Sequence, residues 1–373
     1  MTRTKAPSEP EKSETLPASA FLNPHRPECG FAYKGLCSAG LAFSLGAALR
    51  AEMGAKLDLR GWLDLVAIGT IADLAPLTDD NRRLVRAGLR SLGAAKVRPA
   101  LAALRQAAKI PQASLLTARD VAFRFSPRLN APGRLGSADL TRRFLMAKSQ
   151  KEAWALLEEI EAQNDERKAL TNRAAEEAEA KAREIYGDSP DRGVVVASDA
   201  WHRGVVGIVA ARLVDALGVP AAVIALDGTQ SHGSVRTEGA VDVHEALGRC
   251  ASELGAWGGH RAAAGFSLDA GALDSFRASF SDATKVTGTG GLPPVDVDVA
   301  LGGAFRVPSV EDLRRLGPFG EGFREPLFLL DAHIVEATGV GADRQHAKLK
   351  LRVGQDFLRA FAPGMFGRVE GRK

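Results

Sequence analysis

The sequence predicts an α/β protein of more than one domain, and three stretches carry that prediction. GVVVAS (193–198), a helical run over 204–217 with Val205, Ile208, Val209 and Leu213 aligned, and PAAVIAL (220–226) make strand, helix, strand. Parallel neighbours need a crossover of roughly a dozen residues or more, so this spacing fits a parallel unit. Residues 149–187 read as one long helix, opened by the S-x-x-E pair Ser149 and Glu152 and stopped by Gly187 with Pro190 behind it. Beyond residue 292, short alternating segments (VDVDVAL, PLFLLDAHIV, AKLKLRV) separated by turns predict a small β-rich domain.

The remaining elements follow in order. Residues 1–20 mix both charge signs with Pro and Ser and read as a solvated tail, so folded sequence begins near Phe21. Residues 36–53 form an apolar helix rich in small residues. In GWLDLVAIGTIADLAPL the apolar run over 65–68 belongs to a buried segment that ends at Asp73, delivering a carboxylate to its own end. NRRLVRAGLRSLG is a short amphipathic helix with Val85, Leu89 and Leu92 on one face. Along 149–187 the apolar stripe is strong at Ala153, Leu156, Leu157 and Ile160, then thins and resumes weakly from Leu170. A helix this long spans on the order of 55 Å at about 1.5 Å per residue, which makes it a connector between two domains. Residues 278–294, with Gly288, Gly290, Gly291, Pro293 and Pro294, read as a linker.

Composition bounds the function. The 373 residues allow two or three domains, and 45% apolar with 25% charged residues excludes wholesale disorder. Three cysteines without a C-x-x-C pair argue against a disulfide framework or a zinc ribbon, and a reducing cytoplasm is expected. Nothing approaches the roughly 18 to 20 apolar residues of a membrane span. Lys plus Arg exceed Asp plus Glu by 49 to 45, a net charge of +4 that is too small to indicate nucleic acid unless concentrated.

It is concentrated. Residues 123–143 hold Arg124, Arg128, Arg134, Arg142 and Arg143 against the single acid Asp139, and Pro127, Pro132 and Gly133 mark the segment as a loop. Guanidinium forks suit phosphate oxygens, and pairing with acids on neighbouring elements is the competing reading. HGSVR offers Ser234 and Arg236 beside Gly233, and WGGHRAAAGF offers His260 beside Gly258 and Gly259, where a backbone can approach a ligand closely. For a two-metal hydrolase the residues present one good carboxylate, Asp73. Asp296 and Asp298 alternate within VDVDVAL and are expected on one solvent-facing side.

In order along the chain, GTIADLAPLTDDNRRLVRAGL, SPRLNAPGRLG, SDAWHRGVVGIVAARL, GSVR, GGHRAAAGF and LGPFGEGFREPLF resemble the RecJ family of single-strand-specific 5′ to 3′ DNA exonucleases, within the DHH phosphoesterase superfamily. The resemblance covers residues 20 to 366. It implies an α/β architecture: a disordered tail (1–20), the carboxy-terminal part of a DHH phosphoesterase domain (21–148), the connector helix (149–187), a DHH-associated domain (188–280) and a partial OB-fold (292–373). It further implies that Asp73 is a ligand of a Mn2+ or Mg2+ site and that Arg128, Asn130 and Arg134 lie beside the DNA path. Ser234 and Arg236 are implied to face the 5′ phosphate end, and Gly258, Gly259 and His260 to hold the strand.

The family's first three motifs, including Asp-His-His, have no counterpart here. Because NP-x-R-P-x-C follows soon after Asp-His-His in the family, homology is expected to begin just downstream of it, and the OB-fold is expected to end early at FAPGMFGRVEGRK. The implied function is metal-dependent hydrolysis of single-stranded DNA in repair and recombination, inactive in this chain alone. A non-catalytic single-strand binder is the alternative. Single-stranded DNA is the implied partner, with a helicase or single-strand-binding protein beside it and no membrane.

Overall fold

The computed structural model describes residues 22–371 apart from 28, 95–96, 112–113, 240, 286–295, 302–307 and 342. The predicted tail and the glycine and proline cluster of the linker lie outside the described residues. The first part is helical: α1 (Ser38–Glu52), α2 (Leu63–Ala72), α3 (Asp79–Leu92), α4 (Pro99–Ala107), α5 (Ala118–Asp120), α6 (Ser126–Leu135) and α7 (Asp139–Leu145). Its core gathers Val85, Leu92, Leu101, Leu104, Phe125 and Phe144, all fully buried.

The arginine-rich segment is not a loop. α5 runs through a π-helical turn, Val121–Phe125, straight into α6. Pro127 falls in the first turn of α6, where a missing N–H is tolerated. The widened turn ahead of it relieves the clash that a proline ring makes with the carbonyl four residues back. Both the N–H and the hydroxyl of Ser126 donate to the Val121 carbonyl, so the irregular turn keeps its acceptor satisfied. Pro132 sits inside α6, and its ring is buried.

α8 (Gln150–Tyr186) is one helix. Ser149 Oγ accepts the Glu152 N–H at 3.2 Å, while the Glu152 carboxylate reaches one residue further than a capping box requires and accepts the Lys148 N–H at 2.9 Å. Gly187, at φ 77° and ψ −177°, takes a backbone conformation open to glycine alone and ends it. Ala153, Leu156, Leu157 and Ile160 enter the first core, and Ala174, Ala178 and Ala182 enter the second. The weak second stripe is a stripe of alanines, small enough to let the next domain pack close.

That domain is a mixed sheet of β1 (Val194–Ser198), β2 (Ala221–Ala225), β3 (Gln230–Arg236), β4 (Trp257–His260) and β5 (Ala263–Asp269), in the order β1-β2-β3-β5-β4. β1 and β2 are parallel, joined by α9 (Val206–Leu217), and the other pairs are antiparallel. α10 (Val243–Arg249) and α11 (Leu273–Ala283) cover the opposite face through Leu247, Phe276 and Phe280. Residues 278–283, expected as linker, are the last turns of α11, held because Phe280 is fully buried and Thr284 Oγ1 accepts the Gly193 N–H at 2.9 Å.

The carboxy-terminal part pairs β6 (Val299–Leu301) in parallel with β7 (Phe328–Leu330) and places α12 (Val310–Leu316) between them in sequence. β8 (His333–Val340), β9 (His346–Val353) and β10 (Asp356–Ala362) form a meander, followed by α13 (Phe366–Val369). The alternating VDVDVAL contributes only three strand residues. Asp296 and Asp298 are exposed as expected but precede the strand, and Asp298 accepts the Leu327 N–H at 2.8 Å and pairs with Arg324 at 2.9 Å, tying two segments together.

Cys29, Cys37 and Cys250 are free thiols. Burial, with Glu253 nearby, pushes the Cys250 thiol up to about 11. The unfolded chain ionises this thiol near pH 8.5 and the folded chain does not, so stability is full below that pH and declines as pH rises toward 11. Thermal melts between pH 8 and 11 are expected to show a decline that Cys250→Ala flattens; parallel declines for both proteins would contradict the assignment. Among the described residues no helix is long and apolar enough to cross a membrane.

Candidate nucleic-acid interface

The site grows out of strand register. Val223, Ser234, Gly265 and Gly258 stand opposite one another across β2, β3, β5 and β4, and so do Ala221, Arg236, Ala263 and His260. Residues two apart on a strand share a face, so both rows belong to one side of the sheet. α9 covers that side over β2 and β3 and α8 covers it over β1, so Val194, Val196, Ala221 and Val223 are buried in one core with Val206, Val209 and Leu213 of α9 and Ala178 and Ala182 of α8. β3 lies half-buried at the helix margin, and over β5 and β4 the face is open. There the floor is nearly side-chain-free, with Gly265 and Gly258 exposed, Arg236 at the helix side and His260 exposed at the far edge, two strand spacings or about 10 Å away.

At the helix side lies a groove of about 560 Å³ lined by Arg134, His202, Arg203, Gly207, His232, Ser234 and Arg236, among others, and among the described residues no carboxylate lines it. Ser234 Oγ donates to the Ala264 carbonyl at 3.3 Å and accepts Arg236 Nη1 at 2.7 Å, so the serine orients the guanidinium. Gly207 makes room for it: a Cβ there would stand 3.0 Å from Arg236 Nη2 and 3.2 Å from Ser234 Oγ. The amides of Val206 and Gly207, in the first turn of α9, have no acceptor among the described residues. They add the positive end of a helix to the same wall.

Arg134 arrives from the other domain. Its Nη1 donates to the Gly204 carbonyl at 3.2 Å, and a Cβ on Gly204 would overlap the Arg134 carbonyl oxygen, so the two domains touch here through backbone. His202 Nδ1 accepts the Gly204 N–H at 3.0 Å, which leaves its proton on Nε2. Burial, and then Arg134, hold the Arg236 guanidinium below the usual arginine range, and burial with Arg134 and Arg212 does the same to Arg167 of α8. Cations gathered this closely without a counter-charge form a site that gains energy from an anion.

Not every expected residue converges. Arg128 Nε pairs with Glu161 of α8 at 2.5 Å, Arg124 with Asp120 and Arg142 with Asp139, so three of the five arginines of 123–143 answer nearby acids. The helix explains this: residues placed at i, i+3 and i+4, or facing α8, meet carboxylates that a loop would not present. Asn130 is exposed on α6 outside the groove wall. Gly259, at φ 150°, would clash with the backbone of Ala263 and Ala264 if it carried a Cβ, so its place is a backbone requirement. Asp73 caps the end of α2, exposed, with its carboxylate making no hydrogen bond or ion pair among the described residues, and it does not line the groove. His202, Gly204, Gly207, His232 and Arg167 were not singled out from sequence; the first three lie within SDAWHRGVVG, whose pattern alone says only strand, turn, helix.

A second basic surface lies on the meander. Register aligns Phe357, Arg352 and His333, then Arg359, Lys350 and Glu336, then Phe361, Lys348 and Thr338, all on one face. Phe357 and Phe361 are 59% and 58% exposed, and Lys350 Nζ lies 5.0 Å from the Phe357 ring centroid. The other face is aliphatic: Leu358, Leu351 and Ile334, then Ala360, Leu349 and Ala337.

An α/β domain with an open, glycine-floored sheet face, followed by a small β domain with a basic aromatic face, is the architecture of a DHH-associated domain followed by an OB-type domain. Family models agree: residues 191–285 match the DHHA1 domain and residues 295–371 the RecJ OB domain. The chain is RecJ-like. It is 34% identical over 341 residues to the single-stranded-DNA-specific exonuclease RecJ of Bacillus subtilis, covering 89% of this chain and 42% of that protein. It is 33% identical over 350 residues to RecJ of Escherichia coli, covering 86% and 59%. The crystal structure of Thermus thermophilus RecJ with Mg2+ superposes with a TM-score of 0.75 at 32% identity over 89% of this chain and 51% of that one, and its Mn2+ complex with a TM-score of 0.74. The chain thus spans about half the length of the relatives it matches.

Proposed function

We propose that this chain is the strand-holding part of a RecJ-type single-strand-specific 5′ to 3′ DNA exonuclease. The observation that carries the reading is the groove in which Arg134, Arg236 and the amides of α9 converge, with no carboxylate among the described residues that line it. Phosphates of a single strand enter there. Bases and sugars lie over Gly265 and Gly258, where a side chain would stand in their way, with His260 as a donor at the far edge. The meander offers aromatic faces for stacking between cations that follow the backbone. In this reading Ser234 acts through Arg236, and Gly258, Gly259 and His260 shape and bound the track.

The solved relatives hold Mg2+ or Mn2+. The donor set described here does not fit such a centre: no group of three His, Cys, Asp or Glu residues able to hold an ion occurs among the described residues, and Asp73 stands alone at a helix end. One carboxylate supplies one ligand, where a two-metal site needs a cluster. Hydrolysis by these residues alone is therefore not part of the proposal. Asp73 serves as a ligand in it only together with donors from outside them, and a helicase or single-strand-binding protein would act beside the bound strand.

The test is titration of a 5′-labelled single strand, with manganese or with chelator. Binding that weakens steeply with salt, ignores chelator and proceeds without release of mononucleotides is expected. Mononucleotide release abolished by Asp73→Ala would overturn the assignment of a holding role alone, and no binding at low salt would overturn the reading altogether.

A further inference from the structure

The motif LGPFGEGFREP takes no part in either basic surface. Its residues instead lock against the first domain. Arg82 Nη1 donates to the Pro318 carbonyl at 2.8 Å and Nη2 to the Leu316 carbonyl, while Arg86 Nη2 donates to the carbonyls of Arg315 and Gly317 at 2.6 and 2.9 Å. The Arg82 guanidinium also lies 3.8 Å from the Phe323 ring centroid, and Phe323 stacks on Phe319 at an interplanar angle of 4°. Ahead of α3, the Leu77 N–H donates to the Glu321 carbonyl at 2.7 Å. Gly320 and Gly322 let this backbone approach: a Cβ would stand 2.8 Å from Leu77 Cδ1 at the first and 3.1 Å from Pro76 Cβ at the second. Among the described residues, every hydrogen bond from 298–371 to the rest of the chain runs through this contact.

We infer that residues 315–323, gripped by Arg82 and Arg86, form a fixed joint that sets the distance between the meander face and the interdomain groove, and so sets the length of single strand that engages both. This rests on the strand-holding reading of the two surfaces. Two arginines gripping four consecutive carbonyls resist both rotation and translation, and burial, with Arg86 alongside, holds the Arg82 guanidinium below its ordinary range, as a side chain committed to an interface shows. Two sites held at fixed separation bind a strand jointly only once it spans the gap, which gives affinity a step with length. Sites on a loose tether blur that step.

The experiment compares the wild type with R82A/R86A, and with R83A, whose exposed arginine pairs with Asp80, as control. Affinity for oligothymidylates of increasing length is read by anisotropy, and the joint itself by X-ray scattering and by amide exchange at Leu77 and Gly320. The wild type and R83A are expected to show a sharp rise at one length. R82A/R86A is expected to bind long strands on the order of tenfold more weakly, with short-strand affinity within about twofold of wild type, a larger radius of gyration and faster exchange at both amides. Unchanged scattering and exchange in R82A/R86A would overturn the joint whatever the DNA does. A changed joint with identical length profiles would overturn its role in length selection. Absence of binding by the wild type at every length would sink the strand-holding reading and, with it, length selection, while the scattering and exchange arms still decide the joint.

Discussion

Replacing Arg134 and Arg236 together by alanine is expected to weaken single-strand binding by about 10²-fold and to reduce the magnitude of the salt slope by about 1.4. Each lost phosphate contact on a single strand removes roughly 0.7 from that slope, and a hydrogen bond to a charged group contributes about 1.5–3 kcal/mol. Both arginines lie in a wall without carboxylates, and Arg236 is already disfavoured as a cation by burial and by Arg134. Removing them therefore relieves repulsion in the unliganded protein, and the double variant is expected to melt no earlier than about 2 °C below wild type. Arg128→Ala provides the contrast. Its guanidinium answers Glu161, so its loss is expected to leave the slope unchanged and to lower the melting temperature instead. Anisotropy titrations at four salt concentrations read both results, and a double variant with the wild-type slope would show that phosphates bind elsewhere.

Gly88→Val is expected to destabilise the first domain by about 3 kcal/mol or more, enough to shift its urea midpoint visibly. α2 and α3 cross at this glycine. A Cβ there would overlap the Leu63 carbonyl oxygen and stand 2.5 Å from Ala67 Cβ, and a backbone oxygen cannot step aside as a side chain can. Separating the helices opens the core around Val85 and Leu92, both essentially fully buried. It also shifts Arg82 and Arg86, so the joint to the meander is expected to loosen with it. Gly46→Ala, in α1 with nothing within 4 Å of the added methyl, is expected to gain up to about 1 kcal/mol from helix propensity. Equal midpoints for the two variants would refute the packing argument.

Much of the architecture was legible because it rests on local chemistry. Ser149 and Gly187 mark the ends of α8 through a side-chain cap and a positive-φ glycine, and neither depends on what the helix later touches. The strand, helix, strand of β1, α9 and β2 was legible through its unbroken apolar runs. The arginine-rich segment departs from the expected loop for an identifiable reason. Two prolines and a glycine are loop signals on average, yet a π turn and a first-turn position absorb Pro127, and nothing in the sequence announces a π turn. α11 runs past its expected end because Phe276 and Phe280 hold it through burial under the sheet, a contact between segments far apart in the chain.

By itself, the sequence determined the order of the elements, the long connector, the family resemblance and the residue types available for binding a phosphate chain. Only the tertiary structure decided which of them meet. Strand register brought Ser234, Arg236, Gly258 and His260 onto one open face, and the touch of Gly204 against Arg134 added a cation from seventy residues away. The same packing turned Arg128 toward Glu161 and left Asp73 alone at the end of its helix. The physical reason is that charge and hydrogen bonding act over a few ångströms of space, and proximity between residues distant in sequence is set by how buried faces pack, which composition and periodicity do not encode.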